Sequence, residues 1–156
     1  MVIAALERSG LRDRVRVIAS GKLITPAEIA WAYCCGADFV CSARGFMFAL
    51  GCIQALKCNR NTCPTGITTH NQRLQRGLDP ASKAVRVKNY IEKVHKGVGI
   101  IAHSCGVPHA RALRASHVRM VQANGTSMTL EQIARAAEAG RPELLAQVSK
   151  SATANT

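Results

Sequence analysis

Apolar positions along the chain change period several times, and the changes mark its elements. "MVIAALERSGL" carries them at helical spacing and stops at Ser9-Gly10. "RVRVIAS" alternates through Val15 and Val17 and then turns apolar, the pattern of a short strand that Ser20-Gly21 ends. "TPAEIAWAYCCG" opens with Thr25 at the N-cap, Pro26 at the first helical position and Glu28 three residues after the cap, and Gly36 stops it. "ADFVCSA" predicts a second short strand, and "RGFMFALGCIQALKC" a helix. The first half therefore reads α-β-α-β-α, the alternation of a parallel sheet covered by helices. Further on, Asp79-Pro80 starts a long helix whose apolar stripe runs Ala84, Val85, Val87, Tyr90, Ile91, Val94, Val98, Ile101 and Ala102 to a stop at Gly106. "HARALRASHVRMV" and "TLEQIARAAEAG" predict two more short helices, the second capped by Thr129 with Gln132, and "SKSATANT" a frayed polar tail.

Two parallel strands are too few for a sheet, because parallel sheets are buried on both faces and a short pair leaves both edges unpaired. The pattern is that of the end of a larger α/β unit. At 156 residues and 47% apolar content the chain can bury a modest core, built with few aromatics. The formal charge of +12 is spread from Arg8 to Lys150 with no dense run and no nucleic-acid-binding signature. A solvated basic surface, or one that covers an acidic partner, accounts for it better than nucleic-acid binding does. The seven cysteines are odd in number and include the adjacent Cys34-Cys35, which suits reduced thiols in a cytosol. No signal peptide and no transmembrane run are apparent in the sequence.

Two features carry candidate chemistry. Ser20-Gly21-Lys22 and Ser42-Ala43-Arg44-Gly45 close the two strands with small residues, each beside a cation. Turns of this kind either reverse the chain or let backbone N–H groups approach a phosphate, as after the last strands of (β/α)8 barrels. The second feature is "GCIQALKCNRNTCPTG", in which Cys52, Cys58 and Cys63 are spaced C-x5-C-x4-C and Pro64 follows. Thiolates select zinc, copper(I) or iron–sulfur clusters. Zinc would require a fourth ligand, with His70 the nearest; a three-iron cluster needs one cysteine per iron. The competing reading buries Cys52 and Cys58 on a helix face and leaves only Cys63 in a loop. Cys34, Cys35, Cys41 and Cys105 read as packing residues, and His103, His109 and His117 as surface or helix-end residues.

The run from "IASGKLITPAEIAW" through "CSARGFMFALGCIQALKCNRNTCPTGITT" closely resembles the end of the FMN-binding domain of glutamate synthases, in particular the FMN-binding glutamate synthase family proteins. The resemblance covers about residues 11–120, and the cysteine motif is its most specific part. It implies the last two βα units of a (β/α)8 (TIM) barrel, an incomplete barrel as given, followed by a cysteine loop and a C-terminal helical extension. The implied divisions are 1–69 for the barrel end with its iron–sulfur loop, 70–149 for the extension and 150–156 for a disordered tail. It further implies that Ser20, Gly21, Lys22, Ala43, Arg44 and Gly45 face the phosphate of FMN and that Cys52, Cys58 and Cys63 hold a [3Fe–4S] cluster. Ferredoxin or a reduced nicotinamide partner would supply electrons for the reduction of 2-iminoglutarate, formed from 2-oxoglutarate and ammonia, to glutamate. Lys22 departs from the Asp-Gly-Gly of many members. The first six strands, the flavin-ring and 2-oxo-acid residues and an amidotransferase domain are not represented, so no catalytic residue is assigned. The expectation is a cytoplasmic fragment, inactive unless a missing barrel half or a full-length homologue completes it. The alternative is a non-catalytic iron–sulfur-binding or scaffold module.

Overall fold

The computed structural model describes residues 2–121 and 125–140. The first half is α1 (Val2–Arg8), β1 (Ile18–Ser20), α2 (Pro26–Cys34), β2 (Phe39–Cys41) and α3 (Ala43–Leu50). The second half is α4 (Gln72–Gln75), α5 (Pro80–Ser104), β3 (Arg119–Val121), β4 (Ser127–Thr129) and α6 (Leu130–Glu138). The polar tail expected over 150–156 lies outside the described residues.

β1 and β2 pair in parallel, with Ile18 opposite Phe39, Ala19 opposite Val40 and Ser20 opposite Cys41. α2 makes the crossover between them. It begins as its sequence dictates: the Thr25 side chain accepts from the Glu28 N–H, and Glu28 Oε2 accepts from the N–H groups of Thr25 and Ile24 at 2.7 and 2.8 Å. These bonds, the Thr25 backbone bond foremost, hold the Glu28 carboxyl below its ordinary range. Asp38 fixes the approach to β2. It accepts from the Val17 N–H at 2.8 Å and pairs with Arg12 at 3.0 Å and Arg16 at 3.5 Å, and the Arg12 hydrogen bond leads in lowering its pKa.

Helices cover one face of the strand pair. Ala19 and Val40 pack on a cluster of Leu23, Ile29, Ala32 and Val98, which joins both strands to α2 and α5. A second cluster, Ala30, Cys34, Ala102 and Leu113, continues the packing of α2 on α5. The long helix is thus part of the same core as the strands, and Asp79 caps it by accepting from the N–H groups of Ala81 and Ser82. The opposite strand face stays open, with Ile18 61% and Phe39 46% exposed, and among the described residues no further strand pairs with either edge. Arg111 lies over the Phe39 ring, 5.1 Å from its centroid.

Two local expectations are corrected. The segment 44–58, read as one helix, is helical only to Leu50; Gly51 ends it in the left-handed region at φ 102°, and Gln54 and Leu56 are also left-handed at 54° and 53°. "HARALRASHVRMV" is not a helix either. Single 3-10 turns span Ala110–Ala112 and Ala115–His117, and β3 then pairs antiparallel with β4. Cross-strand partners in β4, outside the segment itself, decide that pairing, and helical spacing within the segment is blind to them.

Candidate functional site

A parallel register places the carboxyl ends of β1 and β2 side by side, and both small-residue turns leave from that end. After Ser20, Gly21 and Lys22 both turn left-handed, at φ 115° and 55°. A lysine there bears a steric cost of about 1–2 kcal/mol that a second glycine would avoid. After β2, Ser42 is the N-cap of α3, and Ala43, Arg44 and Gly45 form its first turn. Ser20, Gly21, Lys22, Ala43 and Arg44 are exposed, whereas Gly45 is buried.

Beyond α3, Cys52, Cys58 and Cys63 line one cleft of about 350 Å³, together with Ala43, Arg44 and Lys57. The cysteine loop and the turn after β2 therefore share a wall. Cys52 lies past the helix end, where its sulfur accepts from the Gln54 N–H at 3.5 Å. Cys58 is exposed at the start of a one-turn 3-10 helix, so Cys52 and Cys58 do not share a buried helix face. Among the described residues no three His, Cys, Asp or Glu side chains are grouped to hold a single metal ion. His70 is exposed, and its N–H donates to Asn61 Oδ1 at 2.6 Å.

The loop is stitched from within. Buried Thr69 donates its hydroxyl to the Asn61 carbonyl at 2.7 Å, and its own carbonyl accepts from Gln75 Nε2 at 2.8 Å. Gly66 is buried at φ 80° against the backbone of Leu74. Nearby, Thr68 Oγ1 is buried, and its nearest chemical role is toward the Cys63 sulfur, whose pKa the Thr68 side chain helps to lower. Two cations of α5, Lys83 and Arg86, come close to Gly51 where the loop begins. With Arg44 and Lys57, which line the cysteine cleft, they make a positive surround.

At Cys63 hydrogen bonds, not these cations, act on the thiol. Its pKa is lowered to about 6, first by the Thr65 hydroxyl, whose Oγ1 lies 3.3 Å from the sulfur, and then by the backbone N–H groups of Thr68 and Thr65. The folded chain binds this proton less tightly than the unfolded chain does. The resulting stabilisation is complete above pH 9 and is lost as pH falls through about 6. Alkylation of Cys63 in cluster-free chain, followed by peptide mass spectrometry, is expected to reach half its limiting rate near pH 6; a midpoint near pH 9 would contradict this geometry.

The remaining thiols differ. Cys34 is buried and Cys35 half-buried, and burial pushes both pKa values up. Cys105 packs against the second core cluster, but Cys41, expected to be a packing residue, is exposed on the open face of β2. His103 and His109 are exposed, and His117 Nδ1 accepts from the Arg114 N–H at 2.9 Å.

Tyr90 is the residue that sequence reasoning missed. Counted simply as part of an apolar stripe, it reaches from α5 to Ser42, the N-cap of α3, and to Ile24, on the segment leading from the first turn into α2, through hydrogen bonds. The available signal was a phenol in a stripe of aliphatics, since a buried phenol oxygen needs a partner.

A parallel strand–helix–strand unit of the α/β class thus carries its two turns beside a three-cysteine cleft. Residues 1–108 match the conserved region in glutamate synthase, and the chain belongs to the glutamate synthase family. It is 38% identical over 133 residues to the glutamate synthase large subunit-like protein YerD of Bacillus subtilis, an alignment covering 85% of this chain and 25% of that protein. It is 32% identical over 124 residues to the archaeal glutamate synthase [NADPH] of Methanocaldococcus jannaschii, covering 77% and 24%. A shorter match, 39% over 70 residues, links it to ferredoxin-dependent glutamate synthase 2 of Synechocystis, covering 45% and 4%. The chain thus spans about a quarter of the first two relatives. Among the described residues no helix is long and apolar enough to cross a membrane.

Proposed function

We propose that the chain is the cofactor-binding end of a glutamate synthase-type oxidoreductase, contributing the last two βα units of a (β/α)8 barrel. In this reading the missing strands pair with the free edges of β1 and β2. The open face bearing Ile18, Ser20, Phe39 and Cys41 then becomes barrel interior. The turns Ser20-Gly21-Lys22 and Ala43-Arg44-Gly45 receive the phosphate of FMN through backbone N–H groups, with the Lys22 and Arg44 side chains adding charge. Cys52, Cys58 and Cys63 each ligate one iron of a [3Fe–4S] cluster.

The observation that carries the reading is the shared wall: Ala43 and Arg44 open the helix at the anion turn and also line the cysteine cleft. The two cofactors would thus be held by opposite sides of one helical turn. When bound, they supply electron transfer to 2-iminoglutarate, formed from 2-oxoglutarate and ammonia. This chain's residues bind and orient: Thr65 and the loop N–H groups keep Cys63 a thiolate, and the cations near Gly51 offset sulfur charge and present a basic approach to an acidic donor such as ferredoxin.

The test combines this chain with a polypeptide carrying the first six strands, FMN, iron and sulfide. Flavin-dependent glutamate formation from 2-oxoglutarate and ammonia, in the mixture only, is the expected result. Iron and sulfide bound by the chain alone, with no flavin uptake or activity in any mixture, would replace this reading by a cluster-binding module.

A further inference from the structure

Tyr90 lies outside every turn and loop discussed as a cofactor contact, yet it bonds to Ser42 at the turn after β2 and to Ile24, just beyond the turn after β1. Its single hydroxyl proton goes to the Ile24 carbonyl at 2.8 Å, on the segment after β1. The 2.9 Å bond to Ser42 must therefore run the other way, with the serine hydroxyl donating to Tyr90 Oη. Ser42 is the N-cap of α3, where a serine oxygen ordinarily accepts from the second or third N–H of the helix. It makes no such capping bond here. The ring is held edge-on against Phe46, with centroids 5.4 Å apart and planes at 80°. Gly45 permits the approach, because a Cβ there would overlap Tyr90 Oη and come within 2.7 Å of Ser42 Oγ.

We propose that Tyr90 is the positioning residue of the phosphate site: it ties the segment leading from the first turn into α2, at Ile24, to the N-cap of α3 and engages the Ser42 hydroxyl, which then makes no capping bond and leaves the first-turn N–H groups of α3 for an anion. The proposal rests on the flavin-phosphate reading above. An uncapped helix start attracts negative charge, and a serine oxygen placed on it would compete with that charge. Helix α5 thereby fixes the N-cap of α3 relative to Ile24, on the segment that follows the first turn, and contributes no backbone to either.

Tyr90→Phe keeps the ring and its contact with Phe46 and removes only Oη. In the completed flavin-binding assembly, its Kd for FMN is expected to rise about tenfold, the scale of one to two lost hydrogen bonds. The Kd for riboflavin, which lacks the phosphate, should stay unchanged, and the 31P resonance of bound FMN should move. Adding Ser42→Ala removes the competing oxygen and should recover part of the FMN affinity. In the chain alone, hydrogen exchange of the Arg44 and Gly45 amides should slow in Tyr90→Phe and return in the double variant. Equal weakening of FMN and riboflavin, or unchanged FMN affinity, would overturn the proposal. If the wild-type assembly binds no FMN while the exchange result holds, the flavin reading fails and the hold of Tyr90 on Ser42 stands.

Discussion

Cys58→Ser is expected to abolish the iron–sulfur absorbance of protein reconstituted with iron and sulfide. Serine keeps the size of the side chain and replaces a soft thiolate by a hydroxyl that binds iron poorly at neutral pH. Cys58 is exposed at the start of a single 3-10 turn, so the change should alter stability by no more than about 0.5 kcal/mol. Loss of colour without loss of fold would therefore report lost ligation. Cys41→Ser is the matched control: that thiol is equally exposed but lies on β2, outside the cleft, and its removal should leave the spectrum intact. Undiminished absorbance in Cys58→Ser, or equal loss in both variants, would remove the ligand assignment.

Gly66→Ala is expected to be the most destabilising single-methyl change in the loop. Gly66 is buried at φ 80°, and a Cβ would overlap the Leu74 carbonyl oxygen and lie 3.0 Å from Gln75 Cα. Both obstacles are backbone, fixed by α4 and by the Thr69 and Asn71 bonds around it, so neither can rotate away. Left-handed strain of about 1–2 kcal/mol adds to overpacking of about 1–3 kcal/mol, a loss of about 2–5 kcal/mol. The denaturation midpoint measures this directly. The same displacement would pull Thr65 from Cys63, and the thiol should titrate above its value of about 6 in whatever folded fraction remains. An unchanged midpoint would show that the loop does not depend on this contact.

Much of the frame was legible because its signals are local. The capping boxes at Thr25 and Thr129 hold both partners within three residues, and both form. Asp79-Pro80 and Gly106 bound the long helix for the same reason. The path after Gly51 was not legible. Ile53, Ala55 and Leu56 continue a helical spacing, and nothing nearby announces left-handed Gln54 and Leu56. The cysteine positions came from their spacing, but their common cleft depends on that unannounced path. The two turns were visible as small residues beside cations. Tyr90, which holds the Ser42 end of the second, sits 48 residues from Ser42, a separation that periodicity cannot bridge.

The bare side of the first strand pair has a bearing on biosynthesis. Ile18 and Phe39 leave the ribosome long before Arg111, whose guanidinium partly roofs the Phe39 ring. Wherever no further strand covers it, that greasy stripe with its unpaired strand edges is the kind of surface that holdase chaperones bind and that otherwise clumps.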